Sequence, residues 1–334
     1  ITRSHIHQIY RELETSGKII TVDLVRKLFY GVDEDSKTLL QVFREHNEQS
    51  RKLIGKDFVS KTVQRYETTT RYLEEFIKKE YQLSDIALNN LEANFISKFD
   101  AFLKIEKGCA QNSAITRLKN LKKIIRIALE NDWIKKDPFA YYRFKLEDTD
   151  PEFLTMDEIK IILAKEFTIK RVEQVRDVFI FCVFTGLAFS DVKDLSPEHL
   201  VKDNKGELWI RKNRQKTKIM CNIPVLPVAA SILEKYKNVA ECTGKLLPVL
   251  SNQRMNSYLK EIADVCGLQK NLCTHSARHS YATSICLANG VSMENVAKML
   301  GHADTSVTKH YARVLDQNIF KDMQKVNNCL SELI

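Results

Sequence analysis

Several side chains that can take part in chemistry lie together near the carboxyl end of the chain. The segment LGHADTSVTKHYARV, residues 300–314, contains His302, Thr308, His310 and Tyr311. A helix that only packs against a core needs none of these polar groups. A tyrosine phenol is a nucleophile that can form a covalent intermediate. The segment is therefore a candidate reaction centre, in which Tyr311 would be the attacking group.

A second segment, THSARHSYATSICLANG at residues 274–290, places His275 and Arg278 three residues apart. On a helix this spacing puts both side chains on one face. A planar guanidinium matches two non-bridging phosphate oxygens, and such charge-assisted bonds are each worth roughly 1.5 to 3 kcal/mol. A phosphorane-like transition state carries more charge than the ground state, so a group of hydrogen-bond donors stabilises it more strongly. The grouping of Arg278, His275 and His302 with Tyr311 therefore favours phosphoryl transfer over binding alone.

The same C-terminal sequence also permits an interpretation without catalysis. NVAKMLGH and TSVTKHYARV, which follow a suitable helix C-cap at Gly290, resemble the first helix and the recognition helix of a helix-turn-helix. Thr308 and His310 would then contact bases in a DNA groove. This interpretation leaves His275 and Arg278 without a role, so the catalytic one uses more of the sequence.

The elements that must position these residues are mostly helical, because helical periodicity dominates and only 10 Gly and 6 Pro interrupt it. Four or five helices are predicted between residues 36 and 144. The last of them has an apolar stripe suited to a core: Ile115, Leu118, Leu121, Ile125 and Leu129. A separate face carries a basic stripe that could contact phosphates, although a charged face is often only solvated: Lys119, Lys122, Lys123 and Arg126.

A domain boundary is predicted near Asp148 to Phe153. Thr155 and Glu158 then form a Thr-x-x-Glu capping box in front of an apolar run, which marks a new helix. The predicted domains are residues 36–148 and 149–334. Residues 1–35, which begin at Ile1 rather than Met and include the helical segment GKIITVDLVRKLFYG, are expected to be a linker or the remnant of an earlier module whose start was removed.

The second domain contains one β signal among its helices. In GELWIRKNRQKTKIMCNIPV, residues 206–225, Leu208 and Ile210 alternate with polar residues before a polar turn. Helices are predicted again from about residue 229 to residue 327. The sequence therefore predicts a small antiparallel hairpin within a helical domain.

Composition narrows the functional classes. Lys and Arg total 52 against 43 acidic residues, a net charge of +9 that favours a polyanionic partner such as nucleic acid. The 8 cysteines show neither zinc-ligand spacing nor a disulfide pattern, as expected for a reducing cytoplasm.

Neither a signal peptide nor an apolar run of about 20 residues is present, so membrane insertion is not expected. A carboxylate cluster and a Gly-rich phosphate loop are also missing, which predicts chemistry without metal or nucleotide cofactor.

Four motifs together resemble the tyrosine recombinases of the phage-integrase family. HSARHSYAT is similar to the family's His-x-x-Arg motif, and LGHADTSVTKHYARV to its Leu-Gly-His…Tyr motif. FTGLAFSDVKDL resembles its Thr-Gly-Leu-Arg block, and RQKTK its hairpin lysine segment. The resemblance spans about residues 150–320, while residues 36–148 resemble the family's helical, SAM-like core-binding domain. It implies a mainly α fold in which the mostly helical catalytic domain holds a small antiparallel β-sheet.

The resemblance also assigns roles to matching residues. Tyr311 would be the nucleophile of a 3′-phosphotyrosyl bond, and Arg278 a phosphate clamp. His275 and His302 occupy the family's two histidine positions. Lys216 matches the lysine that protonates the departing 5′-oxygen, although Lys212 and Lys218 flank the same turn. The acidic position of the Thr-Gly-Leu block falls on Asp191, which is expected to orient its neighbours. His310 and Arg313 are expected to be local supports or phosphate contacts.

One departure concerns the family's first arginine, whose place is taken by Ala188. Integrases of conjugative transposons, which the core-binding domain resembles most, form a subgroup in which this arginine can be absent. Arg214 is the predicted replacement, because a strand's period of two would point it the same way as Lys216. Arg176 is the second choice, and Arg211 would lie on the opposite strand face.

The predicted function is that of a site-specific DNA recombinase that integrates or excises a mobile element. The resemblance implies double-stranded DNA sites, a homotetramer that exchanges strands through a Holliday junction, and a bacterial cytoplasm with nucleoid association. Accessory DNA-bending proteins are possible partners, and the tail VNNCLSELI would dock on a neighbour or stay free. A type IB topoisomerase and the helix-turn-helix regulator remain as alternatives.

Overall fold

The chain divides into two compact units, residues 1–149 and 150–334. A computed structural model describes residues 2–15, 20–22, 25, 37–148, 151–311, 323–324 and 327. The predicted N-terminal segment GKIITVDLVRKLFYG and the tail VNNCLSELI lie largely outside the described residues. Arg313 and the side chain of His310 also lie outside them.

The regular secondary structure described in the first unit is helical, apart from two isolated β-bridges, Thr38–Ala87 and Ile54–Phe58. Its helices are α1 (Thr2–Thr15), α2 (Leu39–Lys52), α3 (Ser60–Tyr81), α4 (Ala93–Ile105) and α5 (Gln111–Glu130). A single 3-10 turn, Leu88–Asn90, precedes α4. The helices predicted between residues 36 and 144 are thus confirmed as α2 to α5.

The apolar stripe predicted on α5 forms part of the first unit's core. Ile115, Leu118, Leu121 and Ile125 are each at most 1% exposed, while Leu129 packs against the same core and is partly buried. The facing surface is rich in aromatic rings from α3 and α4. Burial of such side chains contributes roughly 1.5 to 3 kcal/mol each, so this core stabilises the helical unit without help from a sheet.

The second unit is mostly helical and contains one small sheet, as predicted. Its first helices are α6 (Met156–Ala164), α7 (Lys170–Thr185) and α8 (Phe189–Lys193). The strands β1 (Leu200–Lys202), β2 (Leu208–Asn213) and β3 (Met220–Pro224) follow. The remaining described helices are α9 (Pro227–Lys235), α10 (Lys237–Thr243), α11 (Asn252–Val265), α12 (Thr274–Ser280), α13 (Met293–Leu300) and α14 (Thr305–Thr308).

The capping box predicted at the start of the second unit is present. The Thr155 hydroxyl accepts from the backbone N–H of Glu158 at 3.3 Å, and the Glu158 carboxylate accepts from the backbone N–H of Thr155 at 2.7 Å. Lys270 donates to the same carboxylate at 2.6 Å. The box fixes where α6 begins, and Lys270 ties that end to the loop before α12.

The sheet is antiparallel with the order β1-β2-β3. Ile210 of β2 pairs with Ile223 of β3, and both are fully buried, which confirms the predicted apolar face of the hairpin. Strand β1, whose Leu200 pairs with Ile210, was not predicted. It has three residues, too few to show an alternating pattern.

Helix α7 lies at the centre of the second unit. Its C-terminal half, Val178–Thr185, is buried on every side, as in a helix enclosed by other elements. The helix ends at Gly186, whose φ of +68° is a left-handed conformation. A Cβ at Gly186 would lie 2.3 Å from Cδ1 of Tyr281, so the position requires glycine for both its φ and its close packing. Among the described helices, none combines the length and apolar character needed to cross a membrane.

Candidate active site

Helix α12 carries the His-x-x-Arg motif. Beyond Ser280 it continues as a π-helical stretch, Tyr281–Cys286, and then as a 3-10 turn that ends at Gly290 with a φ of +79°. The predicted C-cap at Gly290 is therefore confirmed. Stretches of π-helix are rare and are frequent at functional sites. This one directly follows the turn that bears Arg278.

Arg278 is almost fully buried, at 1% exposure. Its guanidinium donates to the backbone oxygen of Gly186 at 2.7 Å, to that of Leu300 at 2.5 Å and to Nε2 of His302 at 3.0 Å. Burial lowers the pKa of Arg278, the charge of Arg214 lowers it further, and nearby Tyr311 raises it. The Arg278 guanidinium thus holds together two segments that are distant in sequence, one at Gly186 and the other at Leu300 and His302.

Tyr311 is buried, at 6% exposure, and lies between two imidazoles. Its ring centroid is 4.6 Å from that of His279 in a tilted arrangement and 5.9 Å from that of His302 in a stacked one. The Thr283 hydroxyl donates to the backbone oxygen of Tyr311 at 3.2 Å. Ring contacts and a backbone bond together fix the predicted nucleophile.

His302 is placed by the end of one helix and the start of the next. Helix α13 ends at Gly301 in a left-handed conformation, and the backbone N–H of His302 returns to the oxygen of Ala297 at 3.0 Å. The Asp304 carboxylate then caps α14 by accepting from the backbone N–H of Ser306. This reversal brings the Thr308 hydroxyl to 2.9 Å from Nδ1 of His302.

The three imidazoles of the site are unusually hard to protonate. Burial lowers the pKa of His302 to about 4, with added repulsion from Arg278 and Arg214. Burial also lowers the pKa of His279 to about 4. His275 is more exposed, yet desolvation and the positive charges of Arg278, Arg214 and Lys216 lower its pKa as well. All three rings are therefore neutral near pH 7.

His279 is a site residue that the sequence analysis missed. Its ring lies 4.6 Å from the ring of His275, edge to face, and 4.6 Å from the ring of Tyr311. It is 6% exposed. The spacing of four residues between His275 and His279 places them on one helical face, so the sequence did contain a signal.

Arg214 lies just beyond β2, at the tip of the hairpin. Its Nε is 3.9 Å from Oδ2 of Asp191, while Oδ1 of Asp191 accepts from the backbone N–H of Gln215 at 2.8 Å. Its charge lowers the pKa values of His275, Arg278 and His302, which places its guanidinium near all three. The structure thus brings Arg214 to the site although Ala188 does not supply an arginine.

The reason given for Arg214 from the sequence is wrong. Residues 215–217 form a turn, so Arg214 and Lys216 do not share a strand face. Lys216 is exposed in that turn, and its charge reaches His275. The Thr217 hydroxyl donates to the backbone oxygen of Gly301 at 3.0 Å and thereby ties the turn to the loop that carries His302.

The other basic candidates lie elsewhere. Arg176 donates to Asp177 at 2.6 Å and to the backbone oxygen of Lys165 at 3.0 Å, so it stabilises the junction of α6 and α7. Lys212 donates to the backbone oxygen of Asp194 at 3.2 Å. Arg211 is exposed on β2 and interacts with Asp203. Lys218 is exposed and has a φ of +60°.

The site therefore joins side chains from the hairpin, from α12 and from the C-terminal loop, and we call it the Tyr311 cluster: Arg214, His275, Arg278, His279, His302 and Tyr311. Four buried side-chain atoms in the described residues lack a hydrogen-bond partner, and two of them are Nε of Arg214 and Nε of Arg278. An unmade bond of this kind costs about 1 to 3 kcal/mol, and more for a charged group. Two such cationic donors in one cluster are suited to an anionic ligand.

The helix-turn-helix interpretation does not fit this geometry. Helix α14 has four residues and continues as a single 3-10 turn, Lys309–Tyr311. Thr308 is fully buried and bonded to His302, so it cannot contact a base in a groove. Within the described residues, no group of three or more His, Cys, Asp or Glu side chains is arranged to hold a metal ion.

The basic stripe of α5 lies in the first unit, against aromatic rings. Lys122 is over the rings of Phe139 and Phe144, at 5.6 and 5.3 Å from the centroids. Lys123 is over the rings of Phe58 and Tyr66, at 5.1 Å from each. The two outer members of the stripe, Lys119 and Arg126, are exposed. The ring faces attract the lysine ammonium groups, while Arg126 pairs with Glu130 at 3.2 Å.

Two family models match the chain. The model described as the phage integrase SAM-like domain matches residues 38–146, and the model described as the phage integrase family matches residues 152–318. The tyrosine recombinase XerD of Listeria monocytogenes serotype 4b is 26% identical over 291 residues, 82% of this chain and 94% of that protein. The tyrosine recombinase XerC of Pediococcus pentosaceus is 22% identical over 277 residues, 77% of this chain and 91% of that protein.

Solved structures show the same fold. A lambda integrase dimer bound to a COC′ core site has a TM-score of 0.67 at 19% identity, with 83% of this chain and 96% of that chain covered. The Tn1549 transposon integrase in complex with a circular intermediate DNA has a TM-score of 0.66 at 16% identity, with 87% and 100% covered. Since the family matches span both units and include every member of the Tyr311 cluster, the chain belongs to the phage integrase family and is a tyrosine site-specific recombinase.

Proposed function

We propose that the Tyr311 cluster cleaves and rejoins DNA, with Tyr311 as the nucleophile. The observation that carries this assignment is that the buried Nε atoms of Arg214 and Arg278, beside the tyrosine, both lack a hydrogen bond. A phosphodiester placed there would accept from both guanidinium groups, each of which forms planar, charge-assisted bonds. Arg214 supplies the second cation that Ala188 cannot.

The reaction exchanges one phosphate ester for another. The Tyr311 oxygen attacks phosphorus, the bond to the 5′-oxygen breaks, and a 3′-phosphotyrosyl bond forms. A neutral imidazole of the cluster takes the phenolic proton as the oxygen attacks. Lys216, exposed at the hairpin tip, protonates the departing 5′-oxygen. Attack by a 5′-hydroxyl reverses these steps and restores the DNA without ATP, since the ester energy is kept in the phosphotyrosine.

A nicked suicide substrate tests the nucleophile directly. When the 5′-fragment diffuses away after cleavage, the protein stays covalently joined to the DNA and migrates more slowly on a denaturing gel. We expect the adduct with the wild-type protein and none with Tyr311→Phe, which keeps the ring contacts to His279 and His302. An adduct formed by the phenylalanine variant would refute the assignment of Tyr311.

We further propose that residues 36–148 are the core-binding domain, residues 149–334 the catalytic domain and residues 1–35 part of an arm-binding module or linker. Four protomers would act on two double-stranded sites, with accessory DNA-bending proteins as candidate partners, in a bacterial cytoplasm. Support comes from solved relatives: a lambda integrase tetramer is bound to a Holliday junction, and the Tn1549 integrase is bound to a circular intermediate DNA. Integration and excision of a mobile element is accordingly the proposed biological role.

A two-site plasmid assay separates this role from that of a topoisomerase. Recombination between two cognate sites on one plasmid yields two circles or an inverted segment. A type IB topoisomerase would relax a plasmid that carries a single site and yield no recombinant product. We expect recombinants only when both sites are present.

A further inference from the structure

The hydrogen bonds of His302 determine which of its ring nitrogens carries the proton. A guanidinium has donors only, so the 3.0 Å contact from Arg278 makes Nε2 of His302 an acceptor. A neutral imidazole has one acceptor and one donor, and a protonated one has no acceptor. His302 is therefore neutral with its proton on Nδ1, and that proton is donated to the Thr308 hydroxyl at 2.9 Å.

The position of Thr308 leaves its hydroxyl little freedom to do anything else. The side chain is fully buried, and α14 holds it one helical turn after the Asp304 cap. A hydroxyl can accept a hydrogen bond or donate one, and this property distinguishes it from a carbonyl oxygen or a backbone N–H. Thr308 can thus support the imidazole whether Nδ1 carries a proton or a lone pair.

The tautomer matters because His302 has two possible partners at Nε2. With the proton on Nδ1, the lone pair of Nε2 holds Arg278 in place. With a phosphate bound at Nε of Arg278, a phosphate oxygen becomes the second partner of Nε2 of His302, which can bind that oxygen only as a donor. That change removes a proton from Nδ1 and adds one to Nε2 by exchange with water, so the ring stays neutral.

We propose that Thr308 is the positioning residue of His302: its buried hydroxyl accepts from Nδ1 in the free protein and donates to Nδ1 when a DNA phosphate occupies the cluster. The role in catalysis rests on the proposed function of the Tyr311 cluster. The tautomer of His302 in the free protein does not depend on that proposed function.

The first measurement is therefore made without DNA. In protein labelled with 15N-histidine, two-bond proton-nitrogen correlation spectra distinguish a proton on Nδ1 from one on Nε2. A His302→Gln variant assigns the signal by its loss. We expect the Nδ1 tautomer for His302 at pH 7 and a shift toward the other tautomer in Thr308→Val, which leaves the Nδ1 proton without an acceptor. A wild-type His302 with its proton on Nε2 overturns the inference.

The second measurement uses the nicked suicide substrate at saturating and at half-saturating DNA. Thr308→Val should form the adduct about 10- to 100-fold more slowly at saturation, the same scale as the loss when the orienting partner of a metal-bound histidine is removed. The DNA concentration for half-saturation should be unchanged. Thr308→Ser keeps the hydroxyl and should remain within about threefold of the wild-type rate. A wild-type rate for the valine variant contradicts the proposal.

A matched control accounts for the loss of a buried hydroxyl as such. Thr185 is also fully buried, but its hydroxyl bonds to the backbone oxygen of Phe181 in its own helix at 2.7 Å. Thr185→Val should lower the melting temperature about as much as Thr308→Val while keeping the wild-type tautomer of His302. If the wild-type protein forms no adduct at all, the proposed function fails, whereas the spectra of the free protein still decide the tautomer.

Discussion

Nε of Arg214 lies 3.9 Å from Oδ2 of Asp191, and the same carboxylate binds the backbone of the next residue in the hairpin tip, Gln215. Asp191 stands three residues after Ala188, which occupies the usual arginine position of the family. The α8 segment therefore contributes no arginine from that position, but it anchors one that comes from the hairpin. Asp191 therefore holds the hairpin tip at Gln215, which agrees with the orienting role expected for the acidic residue of the Thr-Gly-Leu block.

Arg214→Ala should reduce adduct formation at least about 100-fold, the scale observed when one donor that stabilises developing charge is removed. Affinity for intact duplex should change little, because many other cationic contacts would remain. Adduct yield on the suicide substrate and fluorescence anisotropy with intact duplex measure the two effects. Arg211→Ala, an exposed arginine on the same hairpin, is the matched control and should cleave normally. If Arg214→Ala cleaves like wild type, another group supplies the second cation.

Gly186→Ala should destabilise the second unit far more than Gly244→Ala. Both glycines end a helix with φ 68° and ψ 7°. A left-handed alanine costs about 1 to 2 kcal/mol at either position. Only at Gly186 would the added Cβ meet Tyr281, at 2.3 Å, whereas nothing lies within 4 Å at Gly244. Urea unfolding of both variants measures the difference, and equal free energies of unfolding would contradict the close approach.

The basic stripe of α5 should contribute to DNA affinity in a salt-dependent way. Each lysine that neutralises a phosphate adds roughly one unit to the slope of log affinity against log salt. Lys119→Ala should therefore lower this slope by about one, with similar weakening on all sequences. Lys98→Ala is the control: Lys98 is paired with Glu80 at 2.6 Å, so its replacement should leave the slope unchanged. A flat salt dependence of the wild-type protein would remove the stripe from the DNA interface.

Stability of the second unit should fall as the pH drops from about 6.5 toward 4. Burial lowers the pKa values of His279 and His302 to about 4, whereas an unfolded histidine has an ordinary pKa of about 6.5. Between these values the unfolded state binds more protons, so the free energy of unfolding rises with pH through this window and falls on acidification. Urea midpoints at several pH values measure the slope. His279→Asn should flatten it, and an unchanged slope would show that His279 titrates normally.

The sequence predicted what depends on local pattern and missed what depends on distant contacts. The stripe of α5 and the capping box at Thr155 follow from spacing within one or two helical turns, and both are present. Arg214 reaches the cluster through contacts with Asp191, 23 residues earlier, and with the loop at Gly301, 87 residues later. The alternation of side chains along a strand could not predict these distant contacts.

His279 and Thr308 illustrate the same limit within the site. His279 follows Arg278 directly, and its spacing from His275 would have placed it on the same helical face. Its contact with Tyr311, however, needs the chain to return from α13 and α14. Thr308 was noticed as a polar residue, but its bond to His302 exists only because Asp304 starts a new helix after the reversal at Gly301.

The bond between the Thr217 hydroxyl and the backbone oxygen of Gly301 joins the hairpin tip to the segment that ends in the nucleophile. A strand of DNA that displaced the tip would pull on that segment too. The proposed proton donor at Lys216 and the proposed attacking oxygen at Tyr311 are thus mechanically linked, so that leaving-group protonation and nucleophilic attack would become available in a single movement.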